Sequence, residues 1–272
     1  MINPFAKVKI FHIASMARSG ETVFLRSLAA HTRICVVHNL EAKDAEHSAQ
    51  LFEFLKHYPE RKIKCRHPYV RPYKVTPSDV LVLKQGVWEH RFPFDGIILS
   101  RNPAAIYASL RNYDANGAED DLDKLWHNNE KRFARWMRDI DASLVDEMLA
   151  LPAVEQFCFF YNRRMGALAD LGLPVVHYEN FVTNPEKVLA VTVNAMGLDY
   201  EGCMLNAHSG YSRNAKGHGK IDMGAPLHSG SLYKFQKTVT PKEFDVIVEQ
   251  TKDVHRKFGY QIEWDSIKTR PV

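Results

Sequence analysis

An apolar strand, a short loop and a helix follow one another within residues 10–30 of this chain. Residues 7–14 are rich in apolar and β-branched side chains, which predicts a buried parallel strand. After the loop, Phe24 and Leu28 lie four residues apart, and this spacing predicts a helix. A buried strand that leads through a tight loop into a helix favours an α/β fold with a central parallel sheet flanked by helices.

The loop between this strand and this helix has the features of an anion-binding site. The N–H groups in the first turn of a helix have no helical partners, and the helix dipole is positive there. Arg18 adds a cation, and Ser19 and Thr22 add hydroxyl groups. These residues predict a site for a phosphate or a sulfate.

The same loop departs from the phosphate-binding loop of kinases and GTPases. That motif, G-x-x-x-x-G-K-[ST], begins with a Gly and places a Lys after its second Gly. Here Ser15 stands at the first position and Glu21 takes the place of the Lys. A carboxylate beside a triphosphate and Mg²⁺ is unfavourable, which argues against a kinase. On these residues alone, an ordinary Gly-containing turn between a strand and a helix is an equal alternative.

Length and composition fit one α/β domain. The chain has 272 residues, 45% of them apolar, which is enough for one sizeable core, and we predict a domain at 1–265 with a tail at 266–272. The net charge of +4 suits small anionic ligands and is too weak to indicate nucleic acid. The four cysteines form no C-x-x-C pair, so neither zinc nor a redox pair is expected. No segment approaches the ~18 apolar residues of a membrane span, which predicts a cytoplasmic protein.

Polar side chains stand at the ends of further predicted strands. Apolar runs predict these strands at 33–37, 79–84, 96–100 and 174–178. His38 and Glu41 follow the second strand of the chain, Lys84 ends the third, and Arg101 follows the fourth. Because the strand ends of an open α/β sheet carry its chemistry, these four residues are candidates for a site.

Residues 59–78 differ in composition from the rest of the chain, and we interpret 44–79 as an insertion. Residues 44–57 have the pattern of an amphipathic helix. From residue 61 to residue 78 the segment carries Lys and Arg but no acidic residue, and prolines interrupt it. A cationic lid or acceptor-binding surface is one interpretation, and a solvated basic loop is the other.

Two motifs resemble those of the sulfotransferases that use 3′-phosphoadenosine 5′-phosphosulfate (PAPS). The run Arg18, Ser19, Gly20, Glu21, Thr22 resembles the family's 5′-phosphosulfate-binding loop, roughly [KR]-S-G-T-T. The resemblance implies that these five residues bind the donor in a P-loop-like turn after the first strand. Glu21 departs from the pattern, since it replaces a Thr and removes one expected hydroxyl contact.

The second motif lies after the fourth predicted strand. The sequence Arg101-Asn102-Pro103, followed by five residues and Ser109, is similar to the family's 3′-phosphate signature R-N-P-x-x-x-x-x-S. The resemblance implies that Arg101 and Ser109 clamp the 3′-phosphate of PAPS. The two motifs also occur in the family's order.

Two later segments resemble the family more loosely. The run that begins at Tyr178 is similar to the family's Y-E-[DN]-[FLM] strand, which implies that Tyr178 lies beside the adenine; a half-buried core tyrosine is the alternative. Residues 203–238 are rich in Gly, His, Ser and Lys. In the family such a loop closes over the 3′-phosphate, and Arg213, Lys216 and Gly217 are the candidates for these contacts.

The resemblance implies transfer of a sulfuryl group from PAPS to a hydroxyl or amine, with release of adenosine 3′,5′-bisphosphate (PAP) and no required metal. Arg18 is the candidate for stabilising the leaving oxygen, and Lys84 is a second cation for the sulfuryl group. The family's K-T-H base is missing after the third strand. Other members of the family use a Glu after the second strand, and Glu41 stands near that place, so the resemblance implies Glu41 as the general base, with His38 and His90 in reserve and a surface carboxylate as the alternative for Glu41.

Two other functions remain open at this point. One is a P-loop kinase that acts on a small molecule, and the other is a catalytically inactive nucleotide-binding scaffold. The basic 59–78 segment hints at an anionic acceptor such as a glycan or a lipid head group, and a small metabolite is the other choice. No nucleic acid and no transmembrane segment are expected, and a homodimer is one open arrangement.

Overall fold

The structure, a computed structural model, describes residues 9–37, 80–84, 95–111, 122–211 and 222–270. Several of the predictions fall outside this part of the chain. They are the 44–79 insertion and the site candidates His38, Glu41, His90, Arg213, Lys216 and Gly217.

Within these described residues, five parallel strands form the central sheet. In chain order they are β1 (Lys9–Ser15), β2 (Ile34–Val37), β3 (Val80–Lys84), β4 (Asp95–Ser100) and β5 (Val175–His177). Their order across the sheet is β2-β3-β1-β4-β5, and every neighbouring pair is parallel. The predicted fold class, a central parallel sheet flanked by helices, is confirmed.

Helices connect the strands and cover the sheet. They are α1 (Glu21–Ala29), α2 (Pro103–Arg111), α3 (Leu122–Asp141), α4 (Val145–Leu149), α5 (Ala153–Ala169), α6 (Tyr178–Thr183), α7 (Pro185–Ala195), α8 (Pro241–Gln250) and α9 (Lys252–Lys257). Within the described part of the chain, no helix is both long and apolar enough to span a membrane.

The two faces of the sheet pack against separate groups of helices. Because side chains alternate along a strand, Phe11 and Ile13 of β1 pack with Phe24 of α1 on one face. Ala14 of the same strand packs on the other face with aromatic side chains such as Phe157 of α5. Both faces of β1 are therefore buried, as the apolar run at its position predicts.

Several predicted boundaries are wrong. The sequence after Thr240 predicts one last helix, which begins with a capping box of Thr240 and Glu243 and continues to Lys257. The structure divides this helix at Thr251, whose Oγ1 donates to the carbonyl oxygen of Ile247 at 2.7 Å. Its predicted capping box at Thr240 is confirmed. Tyr178 begins a helix instead of ending a strand.

The predicted tail at 266–272 is wrong for its first residues. Ser266–Lys268 forms strand β7, which pairs antiparallel with strand β6, Gln261–Glu263. Ile262 and Ile267 stand opposite each other in this hairpin, and both pack on the hydrophobic core. Because both isoleucines pack on the core, residues 266–268 belong to the fold, although the polar residues around Ile267 resemble a tail.

Candidate active site

A cleft opens where the carboxyl ends of β1 and β4 lie side by side. After β1 the chain forms β2 and β3 on one side of β1, and then β4 and β5 on the other side. The strand order therefore reverses between β1 and β4. Open α/β sheets bind ligands at such a point. The cleft encloses about 520 Å³, and its lining includes the predicted residues Arg18, Lys84, Arg101, Ser109 and Tyr178.

The loop after β1 depends on a left-handed backbone. Arg18 has φ = 75° and Gly20 has φ = 93°. The N–H of Phe24 donates to the carbonyl oxygen of Gly20 at 3.2 Å, so the helical bonds start at that residue. A Cβ at Gly20 would lie 2.2 Å from Cδ2 of Tyr178, and a side chain is therefore excluded for steric reasons as well.

Direct contacts join the two predicted motifs. Arg18 Nε donates to Ser109 Oγ at 2.9 Å, across 91 residues of sequence. Arg101 Nη1 donates to the carbonyl oxygen of Arg18 at 2.9 Å. The loop after β1 and the segment after β4 therefore form one site, with two guanidinium groups on its wall.

The guanidinium of Arg101 is held from two further sides. It lies over the ring of Tyr178, with 4.6 Å from Cζ to the ring centroid. Arg101 Nη2 also donates to the carbonyl oxygen of Ser231 at 3.5 Å, and the Tyr178 hydroxyl shares a 2.8 Å hydrogen bond with Ser231 Oγ. Sequence reasoning missed Ser231, although its position in the Gly-, His- and Ser-rich segment was a signal.

A buried carboxylate fixes the turn that carries Arg101. Glu179 Oε1 accepts from the backbone N–H of Asn102 at 2.9 Å, and Glu179 Oε2 accepts from the Tyr260 hydroxyl at 2.8 Å. Burial raises the pKa of Tyr260 well above its ordinary value, so this hydroxyl remains a donor. The sequence marked Glu179 only as part of the run at Tyr178 and assigned it no role.

Glu21 and Lys84 form an ion pair in the floor of the cleft. Lys84 Nζ lies 3.6 Å from Glu21 Oε1, and the hydroxyl of Ser15 donates to the same oxygen at 3.2 Å. Glu21 is buried. Ser15, whose position in the sequence indicated only a departure from the kinase motif, therefore contacts a residue of the site.

Two buried arginines, which the sequence analysis did not single out, hold the segments that form the cleft. Arg164 Nη2 donates to the carbonyl oxygen of Ser15 at 3.0 Å, which secures the end of β1. Arg26 Nη1 donates to the carbonyl oxygens of Met223 and Ala225 at 2.7 and 3.0 Å. Arg26 therefore ties α1 to the segment at 222–235, which forms the far wall of the cleft.

The charge of the cleft suits an anionic ligand. Among its described lining residues, five are Arg or Lys and only Glu21 and Asp222 are acidic. Lys234, which sequence reasoning missed, is one of the five. Ser19 Oγ is buried and has no hydrogen-bond partner among the residues that the structure describes. No group of three His, Cys, Asp or Glu side chains there is arranged to hold a metal ion.

The structure brings together every predicted site residue that it describes. Eight of them line the cleft or contact a residue that does: Arg18, Gly20, Glu21, Thr22, Lys84, Arg101, Ser109 and Tyr178. Ser19 lies in the same loop, with its side chain buried.

Comparison with known proteins reveals structural relatives only. No protein-family model and no curated protein matches the chain. The mouse sulfotransferase SULT7A1 complexed with PAP is similar, with a TM-score of 0.50 and 12% identity over 94% of this chain and 90% of that one. The sulfotransferase domain from the Synechococcus PCC 7002 olefin synthase gives a TM-score of 0.48 and 15% identity over 90% of this chain and 94% of that one.

A third structure, the sulfotransferase domain from the curacin biosynthetic pathway, gives a TM-score of 0.47 and 15% identity over 90% of this chain and 98% of that one. At 12% identity the likeness to the mouse protein shows the fold alone, so any conclusion about activity depends on the residues of the site. The chain adopts the sulfotransferase fold.

Proposed function

We propose that the protein is a PAPS-dependent sulfotransferase, which moves a sulfuryl group to a hydroxyl or amine of an acceptor. One observation carries this proposal: Arg18 donates to Ser109 at 2.9 Å, and Arg101 donates to the backbone of Arg18 at 2.9 Å. Two motifs that resemble the family's donor-binding sequences thus meet in one cleft. The mouse relative whose structure was solved with PAP has the same fold.

The residues of the cleft fit a donor with two separate anionic groups. Ser19, Gly20 and Thr22 stand at the N-terminus of α1, where backbone N–H groups favour an anion. Arg101 and Ser109 are our candidates for the 3′-phosphate, and Tyr178 for the border of the adenine. Arg213, Lys216 and Gly217 stay predictions for the loop over the 3′-phosphate. When bound, PAPS supplies an activated sulfuryl group.

The protein's part in such a transfer is alignment and charge neutralisation. Arg18 is our candidate for stabilising the phosphate oxygen that leaves, and Lys84, on the neighbouring strand, is our candidate for a second cation. Arg164 contributes by fixing the end of β1 through the carbonyl of Ser15. Glu41 stays our prediction from sequence for the general base, with His38 and His90 in reserve.

The proposal is tested by incubating the protein with PAPS and a panel of phenols, alcohols and amines, and by measuring PAP released and sulfated product formed. Arg18→Ala should lower turnover about 10²–10³-fold, the effect of losing one oxyanion donor. Arg256→Ala, which removes an exposed cation of α9, is the matched control and should leave turnover unchanged. Phosphoryl transfer from ATP with Mg²⁺ would instead identify a kinase, and PAP binding without turnover a scaffold.

A further inference from the structure

The carboxylate of Glu21 is the feature of the cleft that anion binding does not explain. It stands at the first residue of α1, where the similar loops of the family carry a Thr. A Thr hydroxyl donates a hydrogen bond to an anion, whereas a carboxylate only accepts and repels the anion. Glu21 nevertheless lines the cleft, with 6% of its surface exposed. Its chemistry points to a role other than donor binding.

The two side chains that contact Glu21, those of Ser15 and Lys84, lie at the same carboxylate oxygen. Ser15 donates to Oε1 at 3.2 Å, and Lys84 Nζ lies 3.6 Å from Oε1. These contacts fix the carboxylate at the carboxyl ends of β1 and β3 and balance its charge inside the cleft. In the described part of the chain, Oε2 makes no comparable contact, so it is available to a ligand hydroxyl.

We propose that Glu21 is the general base of the sulfuryl transfer, a role that rests on the function proposed above. Glu21 Oε2 accepts the proton of the acceptor hydroxyl as the hydroxyl oxygen bonds to sulfur. The bond between sulfur and the bridging phosphate oxygen breaks, and its electron pair leaves with PAP, where Arg18 and Lys84 neutralise it. Glu21 then returns the proton to solvent, so charge and atoms balance without a co-reactant.

The position of Lys84 beside Glu21 supports the assignment of Glu21 as the base. One ammonium group on β3 lies beside the carboxylate and in the same cleft as Arg18. The cation can therefore face the departing oxygen while the carboxylate faces the attacking hydroxyl. A base for the attacking hydroxyl and a cation for the departing oxygen are the two groups that the transfer needs.

The variant Glu21→Gln keeps the size of the side chain and removes its basicity. PAP affinity should stay within about threefold of wild type or become tighter, because a negative charge is removed from an anion site. Conversion of PAPS to PAP with water or an aliphatic alcohol as acceptor should fall about 10²–10⁴-fold, the usual contribution of a general base. The acidic limb of the pH–rate profile should disappear with it.

Two variants are measured in parallel. Glu249→Gln, on the exposed face of α8, is the matched control and should retain the wild-type rate and pH profile. Glu41→Gln tests the rival base. Transfer to 4-nitrophenol, which ionises readily in solution, should be impaired much less by Glu21→Gln than transfer to an aliphatic alcohol.

The outcomes separate this assignment from the proposed function. A wild-type rate in Glu21→Gln, or loss of the acidic limb in Glu41→Gln alone, would overturn the role of Glu21 and leave sulfuryl transfer standing. Loss of PAP binding in Glu21→Gln would make this residue a donor ligand or a structural one. Wild-type protein that binds no PAP, or binds PAP but never turns over PAPS, would overturn sulfuryl transfer itself.

Discussion

Replacing Gly20 with alanine should destabilise the protein and displace the aromatic ring that supports Arg101. Gly20 has φ = 93°, a left-handed conformation that L-residues disfavour. The new Cβ would also lie 2.2 Å from Cδ2 and 2.4 Å from Cε2 of Tyr178. No real Cβ tolerates such distances, so the tyrosine ring must move.

The cost has two parts. The left-handed backbone costs about 1–2 kcal/mol for a residue with a Cβ. Movement of Tyr178 loses its hydrogen bond to Ser231, about 1 kcal/mol, and the cation–π contact with Arg101, about 0.5–1 kcal/mol. Gly20→Ala should therefore lower the free energy of unfolding by about 2.5–4 kcal/mol.

Urea unfolding followed by circular dichroism measures this loss, and Gly197→Ala is the matched control. Gly197 also has a left-handed backbone, with φ = 78°, but a Cβ there would meet nothing within 4 Å. The control should lose only the backbone part, about 1–2 kcal/mol. Equal losses in the two variants would refute the reasoning, because the contact with Tyr178 would then carry no energy.

Two further predictions concern buried polar groups. Glu179→Gln should lower the free energy of unfolding by about 1–3 kcal/mol and weaken PAP binding, because the amide NH₂ would face the N–H of Asn102 or the hydroxyl of Tyr260, both of which are donors. Urea unfolding and PAP titration measure the two effects, and unchanged values would contradict the prediction. Burial lowers the pKa of His12 to about 4. At His12 the unfolded chain therefore binds more protons between about pH 4 and 6.5, and stability falls as pH drops through this window; His12 alone should contribute about 2 kcal/mol of loss from pH 7 to 5. His12→Leu should remove this share of the loss in urea unfolding, whereas a similar share from His255, whose pKa burial also lowers to about 4, should remain; an unchanged total loss would contradict the prediction.

The sequence predicted the sheet well because its strands are buried on both faces. β1, β3 and β4 are nearly continuous apolar runs, and such runs are distinctive. Polar residues such as Lys84 and Arg101 at the strand ends indicated the edge of the sheet where the site lies, whereas the strand order itself was not predicted. Local pattern and final fold agree where burial is complete.

The contacts inside the site were beyond sequence reasoning because they join distant segments. The Arg18–Ser109 bond spans 91 residues and the bond between Tyr178 and Ser231 spans 53. Arg164 sits within a helical pattern that gives no sign of its bond to Ser15. Only the packing of α5 against β1 brings this cation to the end of the strand.

The errors of boundary have local physical causes. Helical periodicity continues through residue 251, but the Thr251 hydroxyl bonds to the carbonyl oxygen of Ile247 and the helix divides there. The strands at 261–263 and 266–268 have three residues each, too few for a clear alternation. Their pairing depends on burial of Ile262 and Ile267, which the sequence alone does not reveal.

Isothermal titration with PAP tests the donor site most directly. Wild-type protein should bind PAP in preference to ATP with Mg²⁺, and Arg101→Ala should abolish most of the affinity, because that guanidinium is held in the cleft by Tyr178 and by the carbonyl of Arg18. Arg256→Ala, which removes the same charge from an exposed position, should bind PAP normally. Preference for ATP with Mg²⁺, or equal PAP affinity in wild type and Arg101→Ala, would contradict a PAPS site in this cleft.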